Sequence, residues 1–134
     1  MQHTNRKPIF FILMSFLTCF SLLFGNNKTK TFETISSEAF AELIADTTIQ
    51  VVDVRSEKEF AAGHIERAIL INVQKEGFEE EALSKLDKGR PLAVYCRSGV
   101  RSAKASEILI RLGYEVYNLR GGYMNYPYKK SSPQ

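Results

Sequence analysis

The segment VYCRSGVRSAKAS, residues 94–106, carries the transition that decides the fold. It begins inside the apolar run PLAVYC (91–96), which is typical of a strand buried on both faces. It ends inside RSAKASEILIRLG (101–113), whose apolar spacing predicts a helix that stops at a glycine. A strand that leads through a short polar loop into a helix is the repeating unit of α/β proteins.

Strand and helix patterns alternate along the rest of the chain as well. The other predicted strands are KTFETI (30–35), the β-branched run at 49–54, AILINV (68–73) and YEVYNL (114–119). Predicted helices follow Ser36, the capping box of Ser56 with Glu59, and the start of FEEEALSKLD (78–87). The sequence therefore predicts an α/β fold with a five-stranded, mainly parallel sheet and helices on both faces.

Two polar clusters follow predicted strands directly. One is DVR (53–55), and the other is CRSGVR (96–101). Ligands of parallel sheets bind outside the carboxyl ends of the strands, so we expect both clusters at the functional edge of the sheet.

Length and charge limit the function classes. A chain of 134 residues with 44% hydrophobic and 25% charged residues is typical of one globular domain. Once Arg6 and Lys7 are set aside, 16 basic residues face 15 acidic ones from residue 26 onward, a net charge of +1. No basic stripe with interleaved aromatic residues occurs, so no nucleic-acid partner is predicted.

The N-terminus has the layout of a secretory signal. A short basic start is followed by an uncharged apolar run from Ile9 to Phe24, then Gly25 and a polar stretch. We therefore predict a signal peptide over 1–25, a linker over 26–30, the folded domain over 31–128 and a polar tail over 129–134. The expected location is outside the cytoplasm, in the periplasm. A retained membrane anchor is the alternative, and lipidation at Cys19 is a third reading.

Removal of such a signal leaves Cys96 as the one remaining cysteine. A lone cysteine cannot form an internal disulfide, which favours a free reactive thiol; a buried, inert cysteine is the structural alternative. Only His64 would remain as a histidine, and one cysteine with one histidine cannot complete a structural zinc site. No metal is predicted.

The loop that follows Cys96 is suited to an anionic sulfur. Its backbone N–H groups can curl around the sulfur, the helix that follows adds its positive end, and a glycine eases the turn. These groups and two arginines favour thiolate over thiol, from a free pKa of about 8.5. The predicted nucleophile is Cys96, and the predicted binding residues are Arg97, Ser98, Gly99, Val100, Arg101 and Ser102.

Four segments in order resemble the rhodanese domain, in its small single-domain sulfurtransferase form. They are VVDVRSEKEFAAGHI, AILIN, VYCRSGVRSAKAS and LGYEVYNLRGG, and the resemblance covers the chain from about Thr31 to Tyr126. It implies that the Cys96 thiolate takes a sulfur atom from a small-molecule donor such as thiosulfate and carries it as a persulfide. The acceptor would be a thiol or cyanide, and no cofactor is required.

The sequence departs from the family pattern at three positions. Arg67 stands where the family usually has glycine, Val73 where it often has proline, and Tyr126 near the place of a common tryptophan. None of them changes the prediction for the Cys96 thiol, although each could shift the access of the acceptor.

Other roles stay open at this stage. Phosphatases and arsenate reductases use a similar loop but generally with five residues between Cys and Arg, whereas Cys96 and Arg101 are separated by four. A persulfide carrier or sulfide-binding module for a protein partner is a further alternative. Arg55 either draws anions into the site or forms a structural pair with Asp53, and His64 is expected to support the structure. The oligomeric state is not predicted.

Overall fold

The computed structural model describes residues 30–129, and these form one parallel sheet with helices on both faces. The predicted signal peptide, Cys19, and all but the first residue of the predicted tail lie outside the described residues. The strands are β1 (Glu33–Ile35), β2 (Gln50–Asp53), β3 (Ile69–Leu70), β4 (Leu92–Tyr95) and β5 (Val116–Leu119). The helices are α1 (Ser37–Ala45), α2 (Glu57–Ala62), α3 (Phe78–Lys85) and α4 (Val100–Arg111), followed by a 3₁₀ turn at Tyr123–Asn125.

The strand order is β1-β5-β4-β2-β3, and every pairing is parallel. Every residue of β2 and β4 is buried, as the continuous apolar runs predicted. Strands β1 and β3 form the edges and are shorter than the sequence patterns that predicted them. The predicted α/β fold with a five-stranded parallel sheet is confirmed.

Each face of the sheet has its own apolar core. Alternate residues of a strand point to opposite faces, so Val52 and Val94 pack with α3 and α4, whereas Val51 and Ala93 pack with α1. Both cores consist mainly of aliphatic and aromatic side chains, and the largest of them are fully buried. The two cores hold the central strands, and with them the ends of β2 and β4, in fixed positions.

The helix starts follow local capping chemistry. The Ser36 hydroxyl accepts the Ala39 N–H at the start of α1, and Ser56 and Glu59 form the predicted capping box at the start of α2. Helix α4 begins at Val100, one residue before the sequence pattern predicted, because Gly99 in the left-handed region ends the loop there. Arg101 and Ser102 therefore lie in the first turn of α4.

The pairing of β2 with β4 brings the two predicted clusters together. Asp53 is the register partner of Tyr95, so the residues after each strand emerge side by side. Within residues 30–129, no helix combines the length and the apolar character needed to cross a bilayer.

Candidate active site

Cys96 lies directly after β4, at the base of the loop that leads into α4. It is buried, and its sulfur accepts a hydrogen bond from the Gly99 N–H at 3.1 Å. Gly99 has a φ of +105°, a conformation that turns the backbone back toward the sulfur and that side chains resist. The loop therefore curls around the thiol and directs backbone N–H groups at it, as the sequence predicted.

The pKa of the Cys96 thiol is lowered, which favours the thiolate. Burial acts in the opposite direction and is the largest single effect on this pKa. Hydrogen bonds from the hydroxyl and backbone of Ser102, and from the backbone of Gly99 and Ser98, together outweigh it. The Ser102 hydroxyl is also placed to donate to the Gly99 carbonyl at 3.2 Å. Since a hydroxyl has one proton, it can turn toward the sulfur when the sulfur is charged.

The residues after β5 hold the Cys96 loop in position through backbone hydrogen bonds. The Tyr123 N–H donates to the Cys96 carbonyl at 2.8 Å, and the Met124 N–H donates to the Arg97 carbonyl at 3.0 Å. Gly122 makes this approach possible, because a Cβ on it would lie 2.3 Å from the Arg97 carbonyl oxygen. The double glycine, interpreted from sequence only as a turn, thus fixes the position of the loop.

Arg101 is bound to a carboxylate. Its two terminal nitrogens donate to the two oxygens of Glu59 at 2.8 and 2.7 Å, and both side chains are about three-quarters buried. The same Glu59 carboxylate accepts from the backbone and hydroxyl of Ser56. The sequence predicted Arg101 as a cation facing the sulfur and Glu59 only as a capping residue, and the pair between them was not foreseen.

Arg55 is buried beside Asp53, as in the structural interpretation of this pair. Its Nε and Nη2 donate to the Asp53 carboxylate, with the shortest contact at 2.6 Å, and Nη2 also donates to the Gly63 carbonyl at 2.7 Å. The Tyr95 hydroxyl donates to the same carboxylate at 2.8 Å. Burial is the largest effect and lowers the pKa of Arg55, but the hydrogen bonds and charge of Asp53, together with Tyr95 and Glu59, outweigh it and leave the pKa raised.

A cleft of about 240 Å³ lies beside the loop. The Arg55 guanidinium carbon is 4.4 Å from the centre of the Tyr123 ring, so the two groups form one wall of the cleft. The lining residues are Arg55, Glu59, Ala62, Gly63, Arg97, Tyr123 and Met124. Arg55 thus reaches the site, but with its charge balanced by Asp53.

The remaining predicted site residues are exposed or contact only a neighbouring residue. Arg97 and Ser98 are exposed, and Val100 is 76% exposed at the start of α4. His64 Nδ1 contacts the Phe60 carbonyl at 2.9 Å, and its ring stacks on the Phe60 ring. Within residues 30–129, no group of three or more His, Cys, Asp or Glu side chains is arranged to hold a metal ion.

Comparisons with known proteins identify the family of this chain. The sequence profile described as "Rhodanese-like domain" matches residues 36–127. The chain belongs to the rhodanese family. Its rhodanese domain is 33% identical over 112 residues to "Thiosulfate sulfurtransferase 18" of Arabidopsis thaliana, covering 74% of this chain and 82% of that one. The resemblance found in the four sequence segments is thereby confirmed.

Rhodanese structures share the architecture. A rhodanese-like domain protein from Staphylococcus aureus aligns with a TM-score of 0.64 and 27% identity, covering 76% of this chain and all of that one. Relatives also include the "tRNA uridine(34) hydroxylase" of Pelagibacter ubique, 35% identical over 104 residues. This chain spans about a third of that hydroxylase, 34% of its length. Rhodanese domains thus occur both as small proteins and within longer ones.

One departure from the rhodanese pattern places a residue with a side chain in a strained backbone conformation. Arg67 has a φ of +66° and is the only residue other than glycine with a positive φ within residues 30–129. A glycine, which the family usually has there, adopts this conformation without strain. The Arg67 guanidinium donates to the Ile44 carbonyl at the end of α1, which partly compensates for the strain.

Proposed function

We propose that this rhodanese is a sulfurtransferase that carries sulfur as a persulfide on Cys96. The observation that carries the proposal is the Cys96 thiol, the one cysteine within residues 30–129, with its pKa lowered by hydrogen bonds from Ser102, Gly99 and Ser98 despite burial. Thiolate is the nucleophilic form of cysteine, and the donors that favour it would equally favour an anionic terminal sulfur.

The proposed reaction has two steps, here with thiosulfate as donor and cyanide as acceptor. In the first, the Cys96 thiolate attacks the outer sulfur of thiosulfate, an S–S bond forms to Cys96, and the bond to the sulfonate sulfur breaks. Sulfite leaves with the electron pair, and Cys96 holds the persulfide anion. In the second, cyanide attacks the terminal sulfur, thiocyanate leaves, and the thiolate is restored. A thiol acceptor would take the sulfur in the same way.

The size of the loop supports sulfur transfer over phosphoryl transfer. Four residues separate Cys96 from Arg101, and α4 begins within that interval at Val100. A single sulfur bonded to Cys96 fits a tight ring, whereas a phosphoryl group places three oxygens against the same donors. The pairing of Arg101 with Glu59 also leaves that guanidinium without free charge for a phosphate dianion.

Two activities of one preparation test this proposal. We expect sulfur transfer from thiosulfate to cyanide and essentially no release of phosphate from an aryl phosphate. Cys96→Ser should abolish the transfer while its circular dichroism stays that of the wild type. Cys96-dependent phosphate release at a rate that rivals sulfur transfer would overturn the assignment in favour of a phosphatase.

The basic start and the uncharged run before Gly25 further support export from the cytoplasm, with cleavage after that glycine. N-terminal sequencing of the protein isolated from its native host tests this. A first residue near Asn26 is expected, and an intact Met1 in a cytosolic fraction would contradict export.

A further inference from the structure

The backbone and the ring of Tyr123 make different contacts. Its N–H donates to the Cys96 carbonyl at 2.8 Å and so supports the catalytic loop. Its ring centre lies 4.4 Å from the guanidinium carbon of Arg55 and 4.5 Å from the Nζ of Lys129. A cation within about 6 Å of an aromatic ring centre is attracted by the negative charge of the ring face. Two cations from distant segments therefore fix the same residue whose backbone holds the Cys96 peptide.

On the Arg55 side, the ring lies against buried groups at the carboxyl ends of β2 and β4. Arg55 is 3% exposed, and its Nε and Nη2 donate to the Asp53 carboxylate. The Tyr95 hydroxyl donates to the same carboxylate at 2.8 Å, and the Tyr95 and Tyr123 rings stack with their centres 5.9 Å apart. Because Arg55 and Tyr95 are buried and paired, they offer the Tyr123 ring a fixed surface.

On the Lys129 side, the contacts come from the segment that follows the 3₁₀ turn. The Lys129 Nζ also donates to the Met124 carbonyl at 3.3 Å, so one ammonium group contacts both the Tyr123 ring and the backbone of the turn. Tyr126 is buried in the core beside α1, and the Tyr128 ring packs edge to face on it with the ring centres 5.5 Å apart. This packing keeps Lys129 next to the turn.

The turn also orients a hydrogen-bond donor of the Cys96 loop. The Met124 N–H donates to the Arg97 carbonyl at 3.0 Å. In a trans peptide the C=O and the following N–H point in opposite directions, so fixing the Arg97 carbonyl also fixes the direction of the Ser98 N–H. That N–H is one of the groups whose hydrogen bonds lower the pKa of the Cys96 thiol. A displacement of the turn would therefore misdirect a donor that favours the thiolate.

We propose that Tyr123 and Lys129 are positioning residues for sulfur transfer at Cys96, an inference that rests on the proposed function. The attraction of Arg55 and Lys129 for the Tyr123 ring keeps the turn in the position from which its N–H groups orient the loop. The bonds that form and break in the reaction stay those at the Cys96 sulfur. Lys129 thus acts on the thiol through Tyr123 and the backbone of Met124.

Two substitutions of Tyr123 separate the ring from the hydroxyl. Tyr123→Phe keeps the ring and both cation contacts, so it should load sulfur from thiosulfate within about twofold of the wild-type rate. Tyr123→Leu removes both contacts, each worth about two- to fivefold, and should lower the loading rate constant by about tenfold. The measurement is the gain of one sulfur in the intact-protein mass after acid quenching at successive times. Only preparations with the circular dichroism of the wild type are compared.

The titration of the Cys96 thiol distinguishes positioning from a general loss of stability. We expect the pH of half-maximal alkylation by iodoacetamide to rise in Tyr123→Leu, because the donors of the loop are misdirected, and to stay at the wild-type value in Tyr123→Phe. A protein that is merely less stable would keep the wild-type midpoint for as long as it stays folded.

Substitutions of Lys129 test the same account at an exposed position, where the fold is retained. Lys129→Gln should lower the loading rate constant by about two- to fivefold, and Lys129→Arg should keep the wild-type rate, since a guanidinium also interacts with aromatic rings. In the Tyr123→Leu background, Lys129→Gln should have a smaller effect than in the wild type, as expected for two residues that act together.

Three results would overturn this inference and leave the proposed function intact. They are equal losses in Tyr123→Phe and Tyr123→Leu, an alkylation midpoint that Tyr123→Leu leaves unchanged, and an effect of Lys129→Gln that is absent or equal in both backgrounds. Failure of the wild type to gain sulfur from any sulfane-sulfur donor would instead overturn the proposed function.

Discussion

The Glu59 carboxylate holds the Arg101 guanidinium through two parallel hydrogen bonds of 2.7 and 2.8 Å. This contact joins the first turn of α2 to the first turn of α4 and so ties the Asp-Val-Arg region to the Cys96 loop. The side-chain hydrogen bond with Arg101 is the main reason that the pKa of Glu59 is lowered to about 2. The pair therefore contributes both to the stability of the fold and to the charge of the site.

Glu59→Gln is expected to lower stability only where the carboxylate is ionised. Since the folded pKa is lowered from 4.5 to about 2, the pairing stabilises the fold above pH 4.5 and this contribution is lost as the pH falls toward 2. The partly exposed pair should be worth about 1 kcal/mol. Urea unfolding of both proteins at pH 7 and pH 2.5 measures this. A difference in unfolding free energy that is as large at pH 2.5 as at pH 7 would contradict it.

Ser102→Ala is expected to raise the pKa of Cys96. The Ser102 side chain is the largest of the hydrogen-bonding effects that lower this pKa. Without the hydroxyl, the thiolate fraction at neutral pH falls, and alkylation by iodoacetamide should reach half of its maximal rate at a higher pH than in the wild type. An unchanged or lower midpoint would show that backbone donors alone set the pKa.

Gly122→Ala is expected to displace the active loop. The new Cβ would lie 2.3 Å from the Arg97 carbonyl oxygen, so the backbone after Cys96 must shift. A misplacement of this kind should reduce sulfur loading by about 100-fold. The matched control is Gly113→Ala, because Gly113 also has a positive φ, +100°, but no atom within 4 Å of the added Cβ. Gly113→Ala should lose about 1–2 kcal/mol of stability from backbone strain, and Gly122→Ala should lose more because its Cβ also clashes with backbone atoms of Arg97 and Ser98. Comparable loading by both would contradict the supporting role of Gly122.

Arg67→Gly is expected to stabilise the protein. The substitution relieves the strain of a positive φ, which costs a residue with a side chain about 1–2 kcal/mol, but loses the exposed hydrogen bond to Ile44. A net gain of about 0.5–1 kcal/mol in unfolding free energy should result. Guanidinium chloride unfolding measures it, and a loss of stability would show that the Ile44 contact outweighs the strain.

Most of the fold could be predicted from the sequence, because the helix-capping residues and the runs of apolar residues mark the same helices and strands that the structure contains. The buried runs at 49–54 and 91–96 form β2 and β4, two of the three interior strands, and Ser36 and Ser56 cap helices as predicted. The edge strand β3 was predicted too long, because residues at a sheet edge satisfy only part of the pairing that their composition favours. Sequence patterns describe the central strands better than the edges.

The site could be predicted only in part, because its partners come from distant segments. Cys96 and the loop that follows it are contiguous, so the sequence predicts them together. Glu59 is 42 positions from Arg101, and its pattern is fully explained by the capping box that it also forms. Gly122 is recognised as a turn residue, but its close approach to Arg97 depends on where β5 ends. Such contacts follow from the order of the strands, which spacing along the chain does not reveal.

The most direct test of the central claim is the intact mass of the purified protein after incubation with a sulfane-sulfur donor and removal of excess donor. For the wild type, we predict a gain of the mass of one sulfur atom, reversed by cyanide with the formation of thiocyanate. For Cys96→Ser, we predict no gain. A wild-type mass that stays unchanged with thiosulfate and with organic persulfides, or a gain that persists in Cys96→Ser, would contradict the claim that Cys96 carries the sulfur.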